Sequence, residues 1–170
     1  MRKINRKFKK GSLFVLTFFI LFFSFISCGE REVYFRYAQL KDAQWFQSDT
    51  LQFCVDSTDI EPNTPYDISL EITNNAGYDY RNIWLFIKDD MLLNTDSASF
   101  SNKSYMLADE SGKWYGDGLG ALHQISLPYL ESVTFPRKEN YKISIVQGMR
   151  DEPLVGIERI GVRVAKSTTN

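Results

Sequence analysis

Few side chains in this 170-residue chain could carry reaction chemistry, and their spacing argues against most of it. Acid pairs stand at Asp89-Asp90, Asp109-Glu110 and Asp151-Glu152. Two carboxylates facing each other across a cleft are what a glycosidase needs. Adjacent residues on a strand point to opposite faces, so no pair forms a site by itself. His123 is the one histidine and would have to serve any Ser-His-Asp arrangement. No Gly-x-Ser-x-Gly elbow accompanies it, so a surface or capping histidine fits better. A single histidine without Cys-x-x-Cys leaves no conventional metal site. Asp109 to Asp117 fails as a calcium loop, because Lys113 and Trp114 occupy ligand positions of the EF-hand spacing. Gly116-Asp117-Gly118-Leu119-Gly120 would cradle a phosphate only between a strand and a helix N-terminus. Ser126, Pro128 and β-prone residues follow it instead, which reads as a bulge or tight turn. The expectation is no catalytic residue, no cofactor and no metal.

Aromatic residues are the remaining surplus. Trp45, Trp84, Trp114, Tyr115, Tyr78 and Tyr80 could form a stacking platform for sugar or peptide, or they could fill a core. Tyr78, Tyr80 and Tyr115 are the best candidates for exposure.

The chemistry best supported by position is acylation of a thiol. A basic leader with Arg2, Lys3, Arg6, Lys7, Lys9 and Lys10 precedes the apolar run Leu13 to Cys28, LFVLTFFILFFSFISC. A charged start, a short apolar core and a small-residue exit site form a secretory signal. The run is shorter than the roughly 20 residues of a spanning helix. Its Ile26-Ser27-Cys28 ending resembles a bacterial lipobox, which implies cleavage before Cys28 and a covalent diacylglycerol and N-acyl lipid on that cysteine. A transmembrane anchor, or an ordinary signal with an incidental cysteine, are the alternatives. Dual acylation would anchor the chain stably. The leader holds six of the twenty Lys and Arg and none of the twenty-one acids, so the mature part carries about −7. That charge argues against nucleic acid as a partner. With Cys28 acylated, Cys54 has no intrachain partner, and its place in Leu-Gln-Phe-Cys-Val suggests burial.

The elements that must position these groups read as strands. Val33 to Tyr37, Leu51 to Val55, Tyr66 to Thr73, Lys103 to Ala108, Tyr141 to Ile145 and Ile157 to Val164 show strand patterning. Leu122 to Val133 reads as one or two strands interrupted by Pro128. A short helical or looped piece is expected over Ala38 to Ser48, and a loop over Asn94 to Asn102. Residues 82–88 are apolar on both faces, since Trp84 and Phe86 alternate with Ile83, Leu85 and Ile87. Such a strand needs cover on its second face, and a loop of the same chain is the expected cover, with a partner as the alternative. The fold class expected is all-β: a single antiparallel β-sandwich, jelly-roll or immunoglobulin-like, after an N-terminal lipoprotein signal. The expected organisation is a signal peptide over 1–27, a lipidated tether over 28–32 and a β-sandwich domain over 33–170.

Three stretches carry a family pattern. They are Tyr78-Asp-Tyr-Arg-Asn82-Ile-Trp84-Leu, Leu107-Ala-Asp109-Glu-Ser-Gly112-Lys-Trp114-Tyr-Gly116-Asp-Gly118-Leu-Gly120, and Tyr141 to Arg150 continued by Leu154-Val-Gly156-Ile157. With the Gly161-Val-Arg163-Val ending, the chain resembles the gliding motility lipoprotein GldH family. The resemblance implies an envelope lipoprotein at the outer membrane, working beside other motility or secretion proteins, with no catalytic residues to carry over. The candidate interaction surface comprises Tyr78, Tyr80, Arg81, Trp114, Tyr115, Asp117 and Arg150, the last either in a buried ion pair or an exposed contact. A glycan- or peptide-binding surface lipoprotein is the alternative, and a hydrolase using loop acids is a third.

Overall fold

The structure is a computed structural model that describes residues 32–90 and 99–168. The apolar run, Cys28, the start of the tether and Asn94 to Ala98 lie outside the described residues. The chain divides into Met1–Glu30 and Arg31–Asn170, and the second unit is described here.

Eleven strands follow in order: β1 (Glu32–Gln39), β2 (Gln44–Trp45), β3 (Leu51–Val55), β4 (Pro65–Asn75), β5 (Asn82–Asp89), β6 (Ser99–Met106), β7 (Asp117–Leu119), β8 (Leu122–Thr134), β9 (Tyr141–Gln147), β10 (Leu154–Val155) and β11 (Ile157–Lys166). One sheet has the order β1-β11-β4-β8-β7, a second β3-β9-β5-β6, and β10 pairs with β2 alone. If β2, β7 and β10 are set aside, the eight long strands numbered in chain order read 1-8-3-6 and 2-7-4-5. That is the order of two nested Greek keys, so the sandwich is a jelly roll and not an immunoglobulin-like fold.

Period-two patterning builds the core. Tyr66, Ile68, Leu70 and Ile72 of β4 and Ile160, Val162 and Val164 of β11 point inward from the larger sheet. They meet Phe53 and Val55 of β3, Ile83, Leu85 and Ile87 of β5, and Tyr141, Ile143 and Ile145 of β9. All are buried, and apolar area removed from water is the main term holding the two sheets together.

Several local expectations need correction. Cys54 is exposed, not buried. It alternates with buried Phe53 and Val55 and pairs across to Lys142, so the pleat turns it outward. We expect its thiol to react fully with a maleimide in native buffer. Labelling that requires denaturant would contradict this placement. The stretch expected to be helical or looped is the end of β1, a single 3-10 turn at Lys41–Ala43, and β2. Ser99 to Asn102 belongs to β6, not to a loop. Pro128 sits within one continuous β8, at a register shift where Ser69 faces Pro128 and Ile68 faces Leu130. β7 pairs only with residues 122–124 of β8, so the proline lies where β8 borders no second strand, an edge position that tolerates its missing N–H.

The two sheets also meet through polar groups at the β6 and β8 edges. The Tyr105 hydroxyl donates to the Pro128 carbonyl at 3.0 Å, and the Lys103 ammonium lies 5.7 Å from the Tyr129 ring centroid. The Tyr129 hydroxyl donates to buried Asp89. Burial first, and then the Asp89 carboxylate, push the Tyr129 hydroxyl well above its usual range.

Candidate functional site

The chain returns from β4 to β5 through Tyr78 and Tyr80, and from β9 toward β10 through residues 148–153. These two connections lie side by side at one end of the sandwich, because Leu85 pairs with Gln147 and Gly148 N–H donates to the Trp84 carbonyl at 2.7 Å. Between them is a groove of about 630 Å³ lined by Tyr80, Asn82, Trp84, Met149, Arg150 and Asp151.

Hydrogen bonds hold its walls. Buried Gln147 accepts from the Met149 N–H at 2.7 Å and donates to the Asp151 carbonyl at 3.0 Å. Gln47 donates to the Met149 carbonyl at 2.8 Å, and its N–H donates to Glu152 at 2.9 Å. The Tyr80 hydroxyl donates to Asp151 Oδ2 at 2.6 Å, and that bond raises the Tyr80 hydroxyl above its ordinary range. A turn bonded at this many points presents Met149 and Arg150 in one geometry.

From this groove an apolar surface continues along the outer face of the four-stranded sheet. Trp84 is 45% exposed and Phe86 37%, and Phe86 stacks on Phe100, which is 67% exposed, at 6.2 Å between centroids. Among the described residues, no loop of the same chain covers Trp84 and Phe86. Gly148 lies under the Phe86 ring, where an added Cβ would come within 3.0 Å of Cε2. Exposed large side chains in a contiguous row are unusual on a sheet that faces only water.

The structure divides the residues singled out from the sequence. Tyr80 and Arg150 line the groove, and Arg150 is exposed, so it is not in a buried ion pair. Tyr78 is 3% exposed and belongs to the core, contrary to expectation. Its hydroxyl donates to the Asn82 carbonyl at 2.8 Å, and burial pushes it far above its ordinary range. Trp114 is half-buried, with His123 stacked on it at 5.7 Å and Tyr78 at 6.3 Å. With Trp45 and Tyr78 buried, the six aromatics do not form one stacking platform, although Tyr115 is 59% exposed. Arg81 is exposed and donates from Nη1 to the Asp109 carbonyl at 3.1 Å. Asp117 lies elsewhere, on the larger sheet.

Asp109 explains its own turn. Its Oδ1 accepts from the Ser111 N–H, the Ser111 hydroxyl and the Lys113 N–H at 2.8, 2.7 and 3.0 Å. The Ser111 hydroxyl first, then the Lys113 N–H, hold its carboxyl below the usual carboxylate range. Gly112, at φ +85°, closes this turn, and an isolated bridge from Ala108 to Trp114 follows. The sequence reasoning missed Phe100 and Met149, and it counted Trp84 as buried. The signal for Trp84 was present in the two-faced apolar pattern of residues 82–88.

Comparison with known proteins supplies the family. Residues 32–164 match the family model for the GldH lipoprotein. The chain belongs to the GldH lipoprotein family. A gliding motility lipoprotein GldH homolog of Christiangramia forsetii (strain DSM 17595 / CGMCC 1.15422 / KT0803) is 31% identical over 163 residues, covering 92% of this chain and 96% of the relative. As a GldH lipoprotein of the gliding-motility type, the chain is a membrane-attached protein of the cell envelope. Among solved structures, the tobacco streak virus coat protein covers 85% of this chain and 93% of its own at 8% identity, with a TM-score of 0.28. The VP2 subviral particle of infectious bursal disease virus covers 82% of this chain and 37% of its own at 12% identity, with a TM-score of 0.26. Neither score carries an argument about this GldH chain.

Proposed function

We propose that this chain is a non-enzymatic accessory subunit of an outer-membrane motility or secretion-associated complex, held by lipid on Cys28 and docking a protein partner through its Trp84 surface. The observation that carries this reading is the exposed aromatic row Trp84, Phe86 and Phe100 beside a rigid turn bearing Met149 and Arg150. Aromatic and arginine side chains are the residues most often found to dominate protein interfaces.

Chain geometry supports the same assignment. β1 enters at Glu32, which pairs with Ala165, and neighbouring Lys166 pairs with Tyr66 near the start of β4. The groove lies beyond the opposite end of β4, an eleven-residue strand about 35 Å long. From Cys28 to Glu32 the chain can span at most about 15 Å. The groove and the point where β1 enters therefore lie at opposite ends of β4.

Five of the six paired acids are engaged in holding the fold, Asp109 through its own turn, which supports a role without catalysis. Asp89 receives the Tyr129 hydroxyl, and Asp90 accepts from the Lys142 N–H at 2.6 Å. Asp151 and Glu152 brace the groove turn through Tyr80 and Gln47. No group of three His, Cys, Asp or Glu among the described residues could hold a metal ion.

The test is crosslinking in native membranes with the intact chain and with Cys28→Ala. The wild type is expected to incorporate fatty acid, remain with the membrane and recover one specific protein partner. The variant is expected to lose acylation and membrane retention. Undiminished fatty-acid labelling of Cys28→Ala would overturn the anchor, and recovery of no specific partner by wild type would overturn the subunit role.

A further inference from the structure

The outer face of the larger sheet carries a second concavity, a polar groove of about 590 Å³ separate from the docking surface. Strand register builds it. Outward Arg159 of β11 pairs with Thr73 of β4, which in turn pairs with Gln124 of β8. One row over, Gly161 pairs with Glu71, and Glu71 with Ser126. Asp117 of β7 pairs with Gln124 and closes the far side.

These groups are fixed before any ligand arrives. The Arg159 guanidinium lies 4.5 Å from the Tyr37 ring centroid. It donates from Nε to Thr73 Oγ1 at 3.1 Å and from Nη2 to Gln124 Oε1 at 3.3 Å. Arg163 lies 4.3 Å from the Phe35 centroid, with Nε 3.0 Å from Glu71 and Nη1 3.1 Å from Glu32. Glu71 is 1% exposed and accepts from the Ser126 hydroxyl at 2.7 Å and from Ser69 at 3.2 Å. A buried carboxylate persists on a sheet face only when it is paired and hydrogen-bonded in this way.

The charge balance selects the ligand. Two guanidiniums stand against Glu71 and Asp117, so an anion entering the groove meets repulsion as well as attraction. The acidic mature chain adds to that repulsion. What the groove offers is a fixed alternation of donors and acceptors: guanidinium, amide, hydroxyl and carboxylate. A hydroxyl group donates one hydrogen bond and accepts others, so a row of hydroxyls satisfies both kinds of partner. We propose that this groove binds a neutral saccharide, seating its hydroxyls on Arg159, Gln124 and Asp117.

The test uses the full-length acylated protein in nanodiscs. The probes are neutral hexasaccharides of N-acetylglucosamine, mannose and galactose, each with a sulfated counterpart, read by microarray and saturation-transfer NMR. At least one neutral hexasaccharide is expected to bind in preference to its sulfated form. Arg159→Gln and Gln124→Ala are each expected to weaken it about tenfold, and Trp84→Ala to leave it unchanged. Gln124→Ala decides the matter if Arg159→Gln lowers the melting temperature. Absence of neutral binding, preference for the sulfated chains, or binding that survives both groove variants would overturn the proposal. Loss of binding with Trp84→Ala would transfer the saccharide to the docking surface and overturn it equally.

Discussion

Replacing Trp84 and Phe86 together by alanine is expected to weaken partner capture by on the order of a hundredfold or more, with little change in folding stability. Each ring is large, partly exposed and held on a strand whose other face is packed into the core. Central aromatic anchors of interfaces typically cost about 2 kcal/mol or more each when truncated. The two lie two residues apart on one face, so their losses need not add. Stability should change little, because much of each ring already faces water. Quantitative recovery of the crosslinked partner, beside thermal melting of the purified variant, separates the two effects. A variant that melts normally and captures its partner undiminished would remove these rings from the interface.

The largest effect on the fold itself is expected from Trp45→Ala, a loss of about 3–5 kcal/mol. Trp45 is fully buried, and its indole Nε1 donates to the Asp49 carbonyl at 2.8 Å. Truncation leaves a large cavity and takes a donor from a partly buried carbonyl. Against a total stability of about 5–15 kcal/mol, that is enough to unfold a substantial share of the chain on warming. The effect should reach function too. Trp45 pairs with Leu154, and the β2–β10 pair closes the connection that bears Met149 and Arg150. Urea unfolding followed by circular dichroism gives the number. A loss below about 1 kcal/mol would show that this ring does not occupy a core position.

Much of this fold is legible in the residues wherever one face is wet and the other dry. Tyr66 to Ile72, Tyr141 to Ile145 and Ile160 to Val164 alternate cleanly, and all face inward as the pattern requires. The same alternation also places Cys54 outward, and local composition was the wrong guide there. Elements without a one-sided pattern were not legible. β6, read as a strand only from Lys103 onward, lacks an apolar inward face because its inward residues Ser101, Lys103 and Tyr105 meet Tyr129 and Pro128 at the seam of the sandwich. β2 is two residues long, and Asp42 and Ala43 before it adopt φ of +54° and +52°, which no propensity rule anticipates.

The two surfaces differ in the same respect. Trp84 and Phe86 announced themselves by making one strand apolar on both faces. The polar groove could not, since Glu71, Gln124 and Arg159 come from three strands and only the pairing register brings them together. The sequence grouped Asp117 with the aromatic cluster, and the β7–β8 hairpin carries it to the other sheet. Tyr78, expected among the exposed rings, packs against Tyr80 and Trp114 inside the end of the sandwich.

The central claim is that the outer face of β5 docks a protein. Its most direct test is a photo-crosslinking amino acid placed at Phe86 in living cells of the native host, compared with one at exposed Glu131 on the opposite sheet. Illumination is expected to yield one discrete protein adduct from position 86 and none from position 131. No protein adduct at position 86, or equal adducts at both positions, would contradict the account.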